Sequence, residues 1–217
     1  MAPAALLFDL DGTLLDTLHD LADAVNRALA AQGFPGHPVA AYRAFVGDGV
    51  AMLAERALPA GERSSEAVAR TVARLRDEYA HGWAGRTRVY PGVPGLLDEL
   101  TARGLPLAVL SNKPHDFAVA MVAHFLGRWP FCAVRGQVEG GPRKPDPAAA
   151  LELAATLGVA PAACAFVGDS AVDVHTARRA GMLAVGVTWG FREPDELRQA
   201  GAHHVIGAPG ELLPLLG

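Results

Sequence analysis

The sequence AALLFDLDGT, at residues 4–13, joins a continuous apolar run directly to two aspartates and a glycine. An apolar run of this kind, without alternation, predicts a strand that is buried on both faces, as in a parallel sheet covered by helices. Asp9 and Asp11 then lie at the C-terminal end of that strand, where Gly12 permits a sharp turn. The stretch therefore predicts an α/β fold that carries two carboxylates at the ligand-binding edge of its first strand.

Four later apolar runs end in polar or glycine residues in the same way, and segments with helical spacing of apolar residues accompany them. Regular alternation of buried strands and helices predicts a parallel sheet with helices on both faces. Side chains that follow these strands, such as Ser111 and Asp169, are expected at the same edge as Asp9. The predicted strands are Leu105–Leu110, Ala163–Val167, Leu183–Val187 and His203–Ile206, and the predicted helices are Val93–Ala102, Asp116–Leu126, Pro147–Leu157 and Ala171–Ala180.

The long segment after the first strand breaks this alternation, because it shows only amphipathic helical patterns. A connection of roughly 70 residues is far longer than a βα unit needs. It predicts a helical domain at residues 15–84, inserted into a catalytic core that is formed by residues 1–14 and 85–217. Gly47-Asp48-Gly49 interrupts the middle helical pattern and predicts a loop that faces the substrate, with a plain turn between two helices as the alternative.

Composition and charge exclude several classes of protein. With 51% hydrophobic and 19% charged residues, the chain of 217 residues is predicted to be soluble and globular. The net charge of -4 argues against nucleic-acid binding, because no basic surplus exists to neutralise phosphates. The N-terminus lacks the basic start of a signal peptide, and no apolar stretch reaches the ~20 residues of a membrane span. Cys132 and Cys164 lie in apolar runs, which predicts reduced, buried thiols in a cytoplasmic protein.

Asp9 and Asp11 are the candidate reactive groups. One carboxylate can attack phosphorus and form an aspartyl phosphate. The other, held slightly beyond it, can protonate the leaving alkoxide and later activate water. Taken alone, the two aspartates and Gly12 would also fit a plain turn at a strand end. A calcium-binding loop does not fit, because that pattern has its glycine at the sixth position.

Three residues further along the chain supply groups that would bind a phosphate. Ser111 and Asn112 follow the second predicted core strand, where a hydroxyl and backbone N–H groups can hold phosphoryl oxygens. Lys144 opens a predicted helix between two prolines, which stiffen its approach. Its positive charge would offset the negative charge of a phosphate ester.

The acidic residues also predict a metal site. A carboxylate nucleophile and a phosphate ester repel each other, and a hard dication between them would cancel this repulsion. Asp9, Asp169 and a backbone carbonyl near Asp11 are the predicted ligands. Because every one of these ligands is an oxygen atom, Mg²⁺ is the expected cofactor.

As a set, these residues resemble the four motifs of the haloacid dehalogenase-like hydrolases, in the expected order. The resemblance implies a Rossmann-like core with a helical cap of the C1 type, inserted after the first strand. The dehalogenases lack the second aspartate of the first motif, so Asp11 points to phosphate chemistry. The implied roles are nucleophile for Asp9, acid/base for Asp11, phosphoryl ligand for Ser111 and Lys144, magnesium ligand for Asp169, and a supporting partner of the metal site for Asp173.

Several further stretches resemble the bacterial phosphoglycolate phosphatases within this superfamily. The implied function is Mg-dependent hydrolysis of a small phosphorylated metabolite through an aspartyl phosphate. Alternatives are a phosphatase for pyrophosphate, nucleoside monophosphates or sugar phosphates, a phosphomutase, and, from another class, a non-catalytic binding protein on the same fold. The stretches that carry this resemblance are Leu21–Leu29, Phe45–Leu58, Tyr90–Gly95, Arg143–Pro147, Gly186–Phe191 and Gly201–Ile206.

Overall fold

The computed structural model describes residues 2–217, and the chain folds into two compact units. The larger unit holds the chain up to Leu15 together with residues 89–217, and the smaller unit comprises residues 16–88. The smaller unit thus begins one residue later than the predicted insertion at 15–84, and it ends four residues later. Within the described residues, no helix combines the length and the apolar character that a membrane crossing requires.

Strands and helices alternate along the larger unit, whereas helices dominate the smaller one. The strands are β1 (Ala5–Phe8), β2 (Leu15–Asp16), β3 (Arg88–Val89), β4 (Leu107–Pro114), β5 (Phe131–Gln137), β6 (Cys164–Gly168), β7 (Leu183–Val187) and β8 (His204–Ile206). The α-helices are α1 (Leu18–Ala30), α2 (Tyr42–Phe45), α3 (Val50–Ala57), α4 (Ser65–Ala80), α5 (Val93–Ala102), α6 (His115–Leu126), α7 (Ala148–Thr156), α8 (Ala171–Arg179) and α9 (Pro194–Gln199). Segments of 3₁₀ helix lie at Val39–Ala41, Ala60–Glu62, Pro161–Ala163 and Pro209–Leu216.

A six-stranded parallel sheet forms the centre of the larger unit, in the order β5-β4-β1-β6-β7-β8. The strand order reverses at β1, because β4 and β5 lie on one side of it and β6, β7 and β8 on the other. Such a reversal opens a crevice beyond the carboxyl ends of the strands. β2 and β3 pair with each other in a separate two-stranded sheet. The prediction of an α/β fold with a parallel sheet is confirmed.

β4 and β5 differ from the predicted strands. β4 continues beyond the predicted end at Leu110 as far as Pro114, so Ser111 lies on the strand itself. β5 is missing from the predicted strands: its apolar run covers only Phe131–Val134 and is followed by Arg135, and most of its residues are only half-buried at the edge of the sheet. The predicted burial of Cys132 is wrong for the same reason: it is exposed on β5, whereas Cys164 is buried on β6.

The apolar core of the larger unit explains the sequence of β1. Ala5 and Leu7 belong to a buried cluster on one face of the sheet. Leu6 and Phe8, which alternate with them, are equally buried and face the opposite side. A strand that is covered on both faces has no place for a polar residue before its end. The cluster on the first face also includes Ala108, Leu110, Phe166 and Ala184 from neighbouring strands, Ala149, Ala150, Leu153 and Ala154 from α7, and Val174 and Ala177 from α8.

In the smaller unit, the buried carboxylate of Asp20 on α1 binds the backbone near the C-terminal end of the unit. Its oxygens accept hydrogen bonds from the backbone N–H of Arg86 at 2.9 Å and of Thr87 at 2.8 Å. The hydroxyl of Thr87 donates to the same carboxylate at 2.8 Å. Because α1 begins this unit and residues 86–87 lie near its end, Asp20 holds both ends together.

Gly47, Asp48 and Gly49 form the loop between α2 and α3, which confirms the predicted break in the helical pattern. The two glycines have φ values of +113° and +90°, a region that favours glycine. Asp48 Oδ2 lies 2.6 Å from Arg56 Nη2, and Arg56 Nη1 donates to the carbonyl of Phe45 at 3.0 Å. Arg56 therefore fixes this loop against α3, and the role of the loop toward a substrate stays a prediction.

Candidate active site

The central strands β1 and β6 end within one residue of each other, which brings the motif residues that follow them to one edge of the sheet. In the parallel register, Phe8 of β1 pairs with Val109 of β4 and with Val167 of β6. Asp9 follows β1 directly, and its backbone N–H donates to the carbonyl of Val167 at 2.9 Å. Asp169 follows β6 directly. The two carboxylates therefore lie side by side at the carboxyl edge of the sheet.

Lys144 places an ammonium group among these carboxylates. Its side chain is 2% exposed, and its Nζ lies 2.8 Å from Asp9 Oδ1 and 2.6 Å from Asp173 Oδ1. Burial by itself would lower the pKa of Lys144, but the carboxylates of Asp173 and Asp9 outweigh it, and the net pKa is raised. Lys144 is therefore a fixed positive charge at neutral pH.

Asn112 holds the loop that carries Lys144. Its Nδ2 donates to the backbone carbonyl of Lys144 at 3.0 Å, and its Oδ1 accepts from the backbone N–H of Lys144 at 2.8 Å. This pair of hydrogen bonds in opposite directions fixes the loop to β4. The side chain of Asn112 is thus engaged with backbone and positions Lys144, while phosphate binding at Ser111 and Asn112 through a hydroxyl and backbone N–H groups stays a prediction.

Asp173 lies in the first turn of α8 and supports Lys144 from behind. Its Oδ1 accepts from Lys144 Nζ, while its Oδ2 accepts from the backbone N–H of Ser170 at 3.1 Å and from the hydroxyl of Ser170 at 2.6 Å. Ser170 is the N-cap of α8, so this capping box also begins the helix. Because both of its oxygens are engaged, Asp173 acts as a partner of Lys144, in line with its predicted supporting role.

Asp9, Asp169 and Asp173 form a buried acidic cluster, in which one carboxylate oxygen of each lies within 4.8 Å of the others. Burial raises the pKa of Asp9 from its ordinary 3.8 to about 7, with Lys144 opposing the rise and Asp173 adding to it. Burial, followed by the charges of Asp173 and Asp9, raises the pKa of Asp169 well above its ordinary value. Burial is thus the main cause of both raised pKa values and the neighbouring carboxylates add to it, and a bound cation would stabilise the ionised forms.

The donor set of this cluster fits a hard divalent cation. Every donor is a carboxylate oxygen, the ligand type that Mg²⁺ takes in proteins. The backbone N–H of Phe191 donates to Asp169 Oδ2 at 2.7 Å and orients that carboxylate. With Asp173 engaged by Ser170 and Lys144, Asp9 and Asp169 are the residues that would hold the metal.

The side chain of Asp11 does not join this cluster. Lys113 Nζ donates to both of its carboxylate oxygens, at 2.9 and 3.1 Å. The Lys113 side chain is 5% exposed and that of Asp11 is 15% exposed. The two residues meet because Asp11 follows β1 and Lys113 lies near the end of the adjacent β4. The carboxylate of Asp11 is therefore paired with Lys113 and is not a metal ligand in this structure. The predicted metal contact through a backbone carbonyl near Asp11 stays a prediction.

Two glycines let the backbone approach Asp169 closely. Gly12 has a φ of +87°, and a Cβ at this position would collide with the carboxylate of Asp169. A Cβ at Gly190 would collide with Asp169 and with the carbonyl oxygen of Gly12. Trp189 Nε1 donates to the carbonyl of Thr13 at 3.0 Å. The loops that follow β1 and β7 thus enclose Asp169 and restrict its orientation.

The structure brings together the residues of all four motifs, and it adds one that the sequence analysis leaves without a role. The hydroxyl of Ser111, which is buried on β4, accepts from the backbone N–H of Lys113 at 3.2 Å. A signal for Lys113 is present in the composition: 17 of the 19 basic residues are arginine, and Lys113 and Lys144 are the only lysines. Both lysines lie buried at this edge of the sheet.

Comparison with known proteins agrees with this geometry. The family model described as haloacid dehalogenase-like hydrolase matches residues 3–181. The phosphoglycolate phosphatase of Psychrobacter arcticus is 35% identical over 200 residues, which cover 89% of this chain and 87% of that protein. The phosphoglycolate phosphatase of Rhodospirillum rubrum is 38% identical over 199 residues, or 88% and 83% of the two chains. A crystal structure from Haemophilus somnus 129pt, described as a predicted phosphoglycolate phosphatase, superposes with a TM-score of 0.90 at 27% identity and covers 99% of this chain and 98% of the other.

Proposed function

Since this chain belongs to the haloacid dehalogenase-like hydrolase family, we propose that it is a magnesium-dependent phosphatase that converts 2-phosphoglycolate to glycolate and inorganic phosphate. The observation that carries the chemistry is the buried arrangement of Asp9, Lys144 and Asp169 at the carboxyl edge of the sheet. The names of its relatives carry the choice of substrate. The proposed partner is thus a small phosphorylated metabolite, not a nucleic acid or a membrane, and the proposed compartment is the cytoplasm.

In the first half-reaction, an oxygen of Asp9 attacks phosphorus, and the bond between phosphorus and the glycolate oxygen breaks. Lys144 and the backbone N–H of Leu10 both bind Asp9 Oδ1, at 2.8 and 2.7 Å, so Oδ2 is the oxygen that we assign to the attack. The leaving glycolate oxygen takes a proton from Asp11, whose carboxylate receives that proton from water after it leaves Lys113. The hydroxyl of Ser111 and the ammonium of Lys144 hold the phosphoryl oxygens and offset their charge.

In the second half-reaction, water attacks the phosphorus of the aspartyl phosphate, and the bond to Asp9 breaks. Asp11 accepts the proton of the attacking water, so both carboxylates return to their starting state. A Mg²⁺ held by Asp9 and Asp169 would supply the positive charge that lets the Asp9 carboxylate and the phosphate ester approach each other. Throughout, Asp173 and Asn112 keep the ammonium and the backbone of Lys144 in place.

Binding of magnesium is expected to stabilise the protein more at pH 8 than at pH 5.5. The folded-state pKa of Asp9, about 7, lies above its ordinary 3.8, so the carboxyl is protonated in the folded protein at pH 5.5 and ionised at pH 8. Stability falls as pH rises from the unfolded-state pKa of 3.8 to the folded-state pKa of about 7, and at pH 8 the folded state holds the whole penalty of a charge that burial disfavours. A dication that binds the ionised form removes that penalty and competes with protons for the site.

The measurement is the shift in Tm on adding MgCl₂ at both pH values, with NaCl of equal ionic strength as the reference. The larger shift is expected at pH 8, and Asp169→Asn is expected to remove most of it. Asp195→Asn is the matched control, because that side chain is 80% exposed and lies in α9. Equal shifts at both pH values would mean that magnesium does not bind this acidic cluster.

The proposed reaction is tested by phosphate release from a panel of metabolites, with magnesium and with chelator. The panel contains 2-phosphoglycolate, pyrophosphate, nucleoside monophosphates and hexose phosphates, ranked by kcat/KM. We expect magnesium-dependent turnover with 2-phosphoglycolate at least about tenfold ahead of the others, since a site that pairs with a polar substrate group discriminates strongly against substrates that lack it.

Each other outcome of the panel selects a different function. Turnover led by another ester would retain the mechanism and overturn the proposed substrate. A requirement for a sugar bisphosphate would indicate a phosphomutase, which forms the same aspartyl phosphate and returns the phosphoryl group. No turnover on any ester, with magnesium bound, would overturn the enzymatic proposal in favour of a binding protein.

A further inference from the structure

The ion pair between Lys113 and Asp11 conflicts with the proposed use of Asp11. For catalysis, the carboxyl of Asp11 must reach the oxygen that leaves phosphorus. In the structure, Lys113 Nζ holds both oxygens of this carboxylate, at 2.9 and 3.1 Å. Asp11 must therefore turn away from Lys113 during the reaction.

Turning Asp11 away removes negative charge from beside Lys113. The Lys113 side chain is 5% exposed, so bulk water does not readily replace the lost carboxylate. The loss of one partner from a buried ion pair costs much more than the loss of an exposed one. Another carboxylate in the same place would remove this cost and would let Asp11 move.

We propose that Lys113 binds the carboxylate of the substrate, which takes the place of Asp11 and thereby frees Asp11 to act on the ester oxygen. This inference rests on the proposed function and deepens it. It identifies the substrate class as small phosphate monoesters with a carboxylate next to the ester carbon. Lys144 and Ser111 receive the phosphoryl end of such a molecule, and Lys113 receives its carboxylate end.

The positions of Ser111 and Lys113 on β4 support this arrangement. They are two residues apart near the end of β4, where the pairing with β5 shifts register between Leu110 and Pro114. Two binding groups so close in the chain suit a molecule whose phosphate and carboxylate are joined by one carbon and one ester oxygen. The backbone N–H of Lys113 donates to the hydroxyl of Ser111 at 3.2 Å, which links the two binding groups.

The use of lysine also supports a second anion site. The chain places arginine at 17 of its 19 basic positions and has lysine at Lys113 and Lys144 alone. Counted over backbone and side chain together, Lys113 is 8% exposed and Lys144 is 3% exposed. An ammonium group is a compact point charge with three donors, which suits a buried position that exchanges one carboxylate for another. The site thus carries one buried cation for each anionic end of the proposed substrate.

The kinetic test compares two esters of similar size on Lys113→Met. One is 2-phosphoglycolate, and the other is 2-hydroxyethyl phosphate, in which a hydroxymethyl group replaces the carboxylate. We expect the variant to lose about 100-fold in kcat/KM on 2-phosphoglycolate, with a raised KM, and less than about fivefold on 2-hydroxyethyl phosphate. Lys113→Arg is expected to retain part of the preference for the carboxylate ester, because it keeps the charge.

The outcomes separate this inference from the proposed function. If the wild-type protein hydrolyses no ester, the proposed function fails. If it hydrolyses both esters equally well, the proposed substrate fails. If the wild type prefers 2-phosphoglycolate but Lys113→Met loses the same factor on both esters, the inference is overturned, and Lys113 serves only to position Asp11.

A second measurement uses the wild-type protein and needs no turnover. Lysine labelled with ¹³C at Cε gives two NMR signals, one for each lysine of the chain, and the Lys113→Arg variant assigns them. Addition of 3-phosphonopropionate, which has both anionic ends, is expected to shift both signals. Ethylphosphonate, which lacks the carboxylate, is expected to shift mainly the signal of Lys144. A Lys113 signal that responds equally to both compounds, or to neither, would overturn the inference.

Discussion

Asp9→Asn is expected to lower kcat on 2-phosphoglycolate by at least about 10⁴-fold, because an amide cannot form the aspartyl phosphate. The change is nearly isosteric, and the amide oxygen can still accept from the backbone N–H of Leu10, which donates to Asp9 Oδ1 at 2.7 Å. Lys144 keeps its contact with Asp173 at 2.6 Å. The shape of the site is thus conserved, and the loss of activity isolates the nucleophile. The measurement is steady-state phosphate release at saturating substrate.

The same substitution is expected to leave Tm unchanged or to raise it at pH 8. Burial raises the pKa of Asp9 to about 7, so at pH 8 the folded protein holds an ionised carboxylate that its surroundings disfavour. A neutral amide removes this penalty. Asp195→Asn is the matched control, because it removes an 80% exposed carboxylate, and its activity should stay within about twofold of wild type. Asp9→Asn protein with normal Tm and activity within tenfold of wild type would contradict the assignment of the nucleophile.

The sequence predicts the buried strands well and the edge strand β5 poorly, for a physical reason. β1 and β6 are covered on both faces, so their residues must be apolar and their positions are visible as continuous runs. β5 lies at the edge of the sheet, where Cys132 is exposed and Arg135 is half-buried. Its apolar run, Phe131–Val134, is therefore short and is followed by Arg135, and the second half of the strand shows neither an apolar run nor a regular alternation.

In the candidate site, too, some contacts can be predicted from the sequence and others cannot. The approach of Asp9 and Asp169 follows from the strand order alone, since each ends a central strand. The pairing of Asp11 with Lys113 depends on the register of β1 against β4 and on the extension of β4 beyond Leu110, neither of which the sequence specifies. The sequence does not reveal that the amide of Asn112 pairs with the backbone of Lys144, because this contact exists only once the loop is folded.

Lys144→Met is expected to lower the free energy of unfolding by about 3–5 kcal/mol at pH 8, because it leaves buried carboxylates without their ammonium partner. Lys144 contacts Asp9 at 2.8 Å and Asp173 at 2.6 Å, and its side chain is 2% exposed. Methionine has a similar length and fills the same space, so the expected loss comes from charge and not from a cavity. The substitution is also expected to lower kcat by at least about 10³-fold, because it removes a cation that holds the phosphoryl group.

If the loss of stability in Lys144→Met comes from charge, the size of that loss should depend on pH. Lys144 lowers the pKa of both Asp9 and Asp169, so its removal lets these carboxyls take up protons at higher pH. A raised folded-state pKa costs stability only above the unfolded-state pKa, so the deficit of the variant should be smaller at pH 5 than at pH 8. Urea unfolding at both pH values measures the deficit in the free energy of unfolding. Arg198→Met is the control, because that side chain is 62% exposed and its ion pair contributes less than about 1 kcal/mol. A deficit of the same size at both pH values would show that Lys144 stabilises the fold through packing. A deficit no larger than that of Arg198→Met would show that the stability of the acidic cluster does not depend on Lys144.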